Sequence, residues 1–151
     1  MLSKEERDAP TASDLGYYLD VLQGRMNQAM GPGMTITRSI DRIITDLTRR
    51  LTFAPDGVQL SASDRDYLLP LANVLAEYKT TLVSVKVSAG DAETMRLAGL
   101  RAQALARYLS ESGVAAKHLM IIMPAQPDSV GKPARIELVL EPISRVVPDK
   151  R

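Results

Sequence analysis

The sequence predicts an α/β fold, a two-layer sandwich in which helices cover one face of a mixed β-sheet. Three observations support this prediction. Apolar residues recur at helical spacing in three segments, short β-branched segments alternate in polarity, and helical segments separate the later strands. A chain of 151 residues, 45% of them hydrophobic and 25% charged, is long enough for one such core.

The first predicted helix begins near Ser13, because serine is a common N-cap residue. Its apolar side chains follow at steps of three and four residues: Leu15, Tyr18, Leu19, Leu22, Met26 and Met30. Gly31, Pro32 and Gly33 then end the helix. Because the apolar face is one-sided, we expect it to pack against another surface.

The next segments predict a β-hairpin and a second helix. β-Branched residues favour strands over residues 34 to 39 and 42 to 48. A second helix is predicted over about residues 63 to 78, with Ser63 as its N-cap. Pro70 lies inside it and costs about 3 kcal/mol in a helix interior. We therefore expect the helix to kink at this proline or to begin its regular part close to it.

The second half of the chain predicts a third helix and three strands, the strands over residues 82 to 87, 119 to 123 and 135 to 141. Gly113 ends the third helix, because glycine tolerates the left-handed conformation of a C-cap.

The predicted organisation is one compact domain with an extension and two tails. Its parts are a flexible tail over residues 1 to 12, an N-terminal helix and hairpin over 13 to 50, the sandwich domain over 51 to 142, and a flexible tail over 143 to 151.

Composition narrows the class of function. A net charge of +1 produces no strong overall field for nucleic acid or anionic lipid. The chain has no cysteine and one histidine, His118, so we predict no metal site of thiolates or imidazoles. No apolar run approaches the roughly 20 residues of a membrane-spanning helix. Without a nucleophile–base pair or a phosphate-binding glycine loop, we predict a non-enzymatic protein with no cofactor.

Several segments, in order and spacing, resemble the OmpA-like domains of the bacterial envelope, above all those of small outer-membrane lipoproteins. They span Gly16 to Pro142 and read GYYLDVLQGRMNQAM, ITRSIDRIITDLTRRLTF, LANVLAEYKTTLVSVKV, LRAQALARYLSESGV and ARIELVLEP. The resemblance implies an OmpA-like fold, a structural or anchoring role, and a periplasmic location associated with the outer membrane. It also implies two partners, other envelope proteins and peptidoglycan bound through its diaminopimelate-containing peptide.

A peptidoglycan-binding site is implied by the same resemblance. In the family, an aspartate after the core strand and an arginine on the next helix bind the ammonium and carboxylate of diaminopimelate. Arg101 matches that arginine through LRAQALARYL, whereas Asp91 lies one residue beyond the family's aspartate position. Ser88 and Arg135 are further candidates, with simpler interpretations as a strand-end hydroxyl and an exposed strand arginine. A zwitterion requires the acid and the guanidinium to be close together.

The start of the third helix distinguishes two interpretations of this site. If the helix begins near Ala98, Asp91 and Arg101 can face one ligand. If it begins near Ala92, Asp91 is its N-cap and stands about 15 Å from Arg101 along the axis, at 1.5 Å per residue. The second case favours a docking scaffold in an envelope complex, such as a secretion system, that has lost peptidoglycan binding. Short loops and the one-sided first helix favour it too.

Overall fold

The computed structural model describes residues 14–54, 57–124, 126 and 134–143. Within these ranges the chain forms three α-helices, a short 3-10 turn and one five-stranded sheet. The elements are α1 (Leu15–Met30), β1 (Thr35–Arg38), β2 (Ile43–Asp46), α2 (Ala62–Glu77), β3 (Thr81–Ser88), α3 (Ala92–Glu111), β4 (Leu119–Ile122) and β5 (Arg135–Pro142). The predicted fold class is confirmed. The tails predicted over 1 to 12 and 143 to 151 lie outside the described residues, apart from Ile143.

The sheet has the strand order β1-β2-β5-β3-β4. All neighbouring strands are antiparallel except β3 and β4, which are parallel. The predicted hairpin, β1 and β2, joins β5 through pairs such as Ile43 with Leu140. It is therefore continuous with the sheet of the main domain, and the boundary near residue 50 stays a prediction.

The core lies between the sheet and the three helices. From the sheet, side chains at alternate positions such as Val83, Val85 and Leu138 are fully buried, as period-two strands require. The apolar stripe of α3 is buried as well, and includes Ala98, Ala102, Leu105 and Leu109.

The apolar face of α1 is buried within the same molecule. Leu19, Leu22 and Met26 are fully buried, and α1 packs on α2. The hydroxyl of Tyr18 lies 2.7 Å from Thr81 Oγ1 and ties the helix to the start of β3. The one-sided apolar face of α1 therefore does not favour a docking scaffold, contrary to the prediction, because α2 and the core already cover it.

The start of α2 differs from the prediction. The helix begins at Ala62 and its N-cap is Ser61, whose side chain accepts a hydrogen bond from the backbone N–H of Asp64. The predicted cap, Ser63, lies inside the helix. Pro70 lies in the helix interior, so the alternative in which regular helix begins near it is wrong as well.

The remaining boundaries differ from the predictions by small amounts. The hairpin strands are shorter than predicted, and α3 ends at Glu111, with Gly113 following at a φ of 112°. The predicted cap of α1, Ser13, lies outside the described residues. Of the helices in the described ranges, none combines the length and the apolar character needed to cross a bilayer.

Candidate functional site

Asp91 is the N-cap of α3. Its backbone is extended, with φ −146° and ψ 166°, and its Oδ1 accepts a hydrogen bond of 2.7 Å from the backbone N–H of Thr94. The Thr94 hydroxyl donates to the other carboxylate oxygen at 2.9 Å. Both bonds from Thr94 lower the pKa of Asp91 below its ordinary value, and the bond from the backbone N–H has the larger effect. Both carboxylate oxygens are thus engaged within the first turn of the helix.

The helix continues unbroken from this cap through Gly99 to Glu111. Gly99 lies beside the end of a neighbouring side chain: a Cβ added there would lie 2.8 Å from Met123 Cε. Asp91 and Arg101 are therefore about 15 Å apart along the helix axis. Of the two interpretations above, the structure has the helix that begins at Ala92, and it does not bring these two side chains to one ligand.

Arg101 holds the segment between β2 and α2 against α3. Its Nε donates to the carbonyl oxygen of Gly57 at 2.7 Å, and its Nη2 donates to that of Ala54 at 3.2 Å. The guanidinium carbon lies 4.7 Å from the centre of the Phe53 ring, within the range of a cation–π contact. Arg101 is half-buried by these contacts.

The Phe53 segment is positioned by Asp64, an acid in the first turn of α2. Asp64 is 2% exposed, and its Oδ1 accepts from the backbone N–H of Thr52 at 2.9 Å and from the Thr52 hydroxyl at 3.0 Å. Its Oδ2 has no hydrogen-bond partner among the described residues. The spacing Ser61-x-x-Asp64 was the available signal, because it matches the serine-to-acid spacing of a helix start.

Ser88 and Arg135 face each other as partners across β3 and β5. Arg135 is not a lone exposed arginine, because its Nη2 lies 3.0 Å from Asp46 Oδ2 and 3.3 Å from Glu137 Oε2. Burial raises the pKa of Asp46, but hydrogen bonds from Thr48 and the charge of Arg135 outweigh it, so the net shift is downward. These two candidates lie together at one end of the sheet.

A cleft of about 140 Å³ separates the first turns of α3 from this end of the sheet. Its described lining is Thr48, Leu51, Phe53, Thr94, Leu97, Ala98, Arg101, Ala134 and Ile136. Of the four predicted site residues, Arg101 alone lines it. The cleft is well below the roughly 300–1,000 Å³ of drug-sized ligand sites, so it fits a single small group. In the described ranges, no three acidic, cysteine or histidine side chains gather where they could hold a metal ion.

The order of elements and the strand order are those of the OmpA-like fold that the sequence resemblance implied. The chain is 32% identical over 143 residues to a protein of Escherichia coli described as the probable lipoprotein YiaD. That match covers 85% of this chain and 65% of the lipoprotein, so the chain spans less than two thirds of this relative. No protein-family model matches the chain.

Solved structures share the fold at low sequence identity. A MotB-like protein from Desulfovibrio vulgaris has a TM-score of 0.69 at 16% identity, covering 91% of this chain and 98% of that one. The cell wall anchor of the T6SS from Pseudomonas aeruginosa has a TM-score of 0.58 at 18% identity, covering 85% and 96%. These proteins are described as a lipoprotein, a MotB-like protein and a cell wall anchor, and none of the three descriptions names an enzyme.

Proposed function

We propose that this chain is a non-enzymatic anchoring domain of the bacterial envelope. It associates an outer-membrane protein or assembly with peptidoglycan, and it works in the periplasm through an altered site centred on Arg101. Support comes from the similarity to a protein described as a lipoprotein and from the fold shared with a cell wall anchor.

One observation carries the proposal: Arg101 lies on a small cleft with its charge available to a ligand. Among the described residues its partners are two neutral carbonyl oxygens and an aromatic ring, and none of these cancels a full positive charge. The same contacts hold the guanidinium in one orientation. A pre-oriented guanidinium binds a carboxylate as a planar fork, which is the chemistry that the carboxylate of a wall peptide requires.

The site is altered relative to the family's site because Asp91, the candidate acid, does not lie beside Arg101. Asp91 caps α3 with both carboxylate oxygens and lies about 15 Å along the axis from Arg101. A ligand carboxylate bound at Arg101 would therefore leave its neighbouring ammonium without Asp91 as a partner. Ser88 and Arg135 lie beyond the lining of the cleft, and their role in binding the wall peptide is secondary in this proposal.

Retention on purified peptidoglycan sacculi tests the proposal. Arg101→Ala should reduce retention about tenfold or more, because it removes one charge-assisted contact with the ligand. Arg101→Lys should restore little of it, because lysine keeps the charge but not the fork. Asp91→Ser is the matched control: serine also caps helices, so α3 is preserved and retention should stay unchanged.

Two results would contradict the altered site. Equal retention of wild type and Arg101→Ala would remove the arginine from binding. Loss of retention in Asp91→Ser would restore Asp91 as a ligand-binding residue.

The second candidate is a docking scaffold within a secretion-type envelope complex that has lost peptidoglycan binding. The observation that favours it is the complete use of the Asp91 carboxylate as a helix cap. Cross-linking in cells followed by mass spectrometry distinguishes the two candidates. Wall fragments attached to the chain support the anchor, and envelope proteins alone support the scaffold.

A further inference from the structure

A second, larger groove runs between α2 and α3, on the far side of Arg101 from the sheet end. It has a volume of about 250 Å³ and is lined by Gln59, Leu60, Arg65, Ala104, Arg107, Tyr108 and Glu111. The Tyr108 hydroxyl donates to the backbone carbonyl oxygen of Arg65 at 2.9 Å. This bond joins the two helices across the groove and fixes the distance between its walls.

The charged side chains of this groove are unpaired within the described part of the chain, unlike most charges of the molecule. Most other arginines in the described ranges bind carboxylates or carbonyl oxygens, as Arg25 does with Glu77 at 2.9 Å. For Arg65, Arg107 and Glu111, in contrast, the described residues provide no side-chain ion pair or hydrogen bond. Arg107 and Glu111 are four residues apart on one helix, the spacing at which opposite charges commonly pair.

We propose that this groove binds the zwitterionic end of an amino acid, its carboxylate at Arg65 and Arg107 and its ammonium at Glu111. The two guanidiniums and the carboxylate of the groove have no partners among the described residues. Their charges are opposite to those of the ligand's carboxylate and ammonium, respectively. The amide of Gln59 adds a donor and an acceptor at the same wall. At about 250 Å³ the groove is just below the size of drug-ligand pockets, which suits one amino acid and not a long chain.

The groove lies next to the proposed wall-binding cleft. Arg101, Ala104 and Tyr108 follow at helical spacing on one face of α3, so the groove begins about one turn, or 5.4 Å, from Arg101. Gly57, which accepts from Arg101, is two residues before Gln59. A wall peptide with one of its carboxylates held at Arg101 can therefore place its zwitterionic amino-acid end in this groove. The identification of the ligand as part of a wall peptide rests on the proposed function. The charge pattern of the groove does not depend on it.

NMR titration of the ¹⁵N-labelled chain tests the groove with simple probes. Alanine carries both charges, N-acetylalanine only the carboxylate and alanine amide only the ammonium. Alanine should shift the backbone amides of Gln59, Arg65 and Arg107, and each single-charge probe should bind about tenfold more weakly. Equal binding of N-acetylalanine, or no shift with alanine at millimolar concentration, would overturn the zwitterion site.

Variants connect these shifts to the charges. Arg107→Gln and Glu111→Gln should each weaken alanine binding about tenfold. Arg49→Gln is the matched control, because Arg49 is also an exposed arginine without a side-chain partner in the described ranges, yet it lies outside the groove. Unchanged binding in both groove variants, or equal weakening in Arg49→Gln, would overturn the assignment.

A soluble muropeptide separates this inference from the proposed function. If the NMR shifts caused by muropeptide are lost in Glu111→Gln but kept in Arg101→Ala, the groove binds the wall peptide without help from Arg101. Shifts lost in Arg101→Ala and kept in Glu111→Gln overturn the groove as a wall subsite and leave the anchor standing. Alanine binding without any muropeptide binding supports the site and overturns the wall as its source.

Discussion

The starts of α2 and α3 use the same local device in two different surroundings. At α2, the Ser61 hydroxyl accepts from the backbone N–H three residues later, at 3.0 Å. At α3, the Asp91 carboxylate does the same for Thr94 at 2.7 Å. Each side chain satisfies one of the free N–H groups of a helix start. The difference lies in the acids: Asp64 in the first turn of α2 is buried, whereas Asp91 is exposed.

This difference decides which acid positions the candidate site. The buried Asp64 reaches Thr52, twelve residues earlier, and so holds the segment that carries Phe53 beneath Arg101. The exposed Asp91 bonds only within its own helical turn. Asp91, which lies next to the family's aspartate position in the sequence, is thus a local helix cap. Asp64, which lies far from that position, shapes the surroundings of Arg101.

The largest expected effect concerns the buried acid. Asp64→Ala should destabilise the fold by about 3 kcal/mol, because the Thr52 backbone N–H and hydroxyl lose a charged acceptor in a buried place. Asp64→Asn is the control, since an amide oxygen can still accept from both groups, and it should cost less than about 1 kcal/mol. Urea unfolding with an unchanged m-value measures both. An equal loss in the two variants would show that charge rather than hydrogen bonding holds this segment.

The next effect is on the arginine that this segment supports. Arg101→Ala should cost about 1 kcal/mol, as it removes two hydrogen bonds to backbone carbonyls and the contact with Phe53. Amide hydrogen exchange in residues 57 to 60 should become faster, while exchange around Asp91 should stay unchanged. Faster exchange at both places would contradict the separation of the two regions.

Sequence patterns predicted the architecture well because burial follows periodicity. The alternation of Val83, Val85 and Val87 and the stripe through Leu105 and Leu109 are both buried as expected. The order of strands across the sheet was not predicted, because it depends on contacts between segments that are distant in the chain. The ends of the helices and strands were predicted less accurately, because several neighbouring residues are equally suited to end or cap an element.

The details of the site were harder to predict because tertiary contacts decide them. Ser61 and Ser63 are equally good caps by type, and the burial of Asp64 against Thr52 selects Ser61. Gly99 lies in the interior of α3, next to the end of the Met123 side chain, a contact that no sequence pattern indicates. Arg101 binds carbonyl oxygens 44 and 47 residues earlier in the chain, and backbone acceptors leave no signature in a sequence.

A smaller effect is expected at the exposed cap, and it depends on pH. Hydrogen bonds from Thr94 lower the pKa of Asp91, so the ionised form is favoured in the folded state. The resulting stability is present above the unfolded pKa, near 3.8, and is lost as pH falls through the lower folded value. The difference in unfolding midpoint between wild type and Asp91→Ala should therefore be seen at pH 7 and shrink in acid. A difference that grows in acid would contradict this assignment.

The smallest effect is expected at Gly99, between the cap and the arginine. Alanine in place of glycine favours the helix by about 1 kcal/mol, but its Cβ would lie 2.8 Å from Met123 Cε and 3.1 Å from Met123 Sδ. Met123 is 44% exposed and its side chain is flexible, so its end can move aside at low cost. We expect Gly99→Ala to change the free energy of unfolding by less than about 1 kcal/mol, and Gly99→Ala with Met123→Ala to be the more stable pair. A loss above about 2 kcal/mol in the single variant would contradict this expectation and would mean that the side chain of Met123 is held rigidly at this contact.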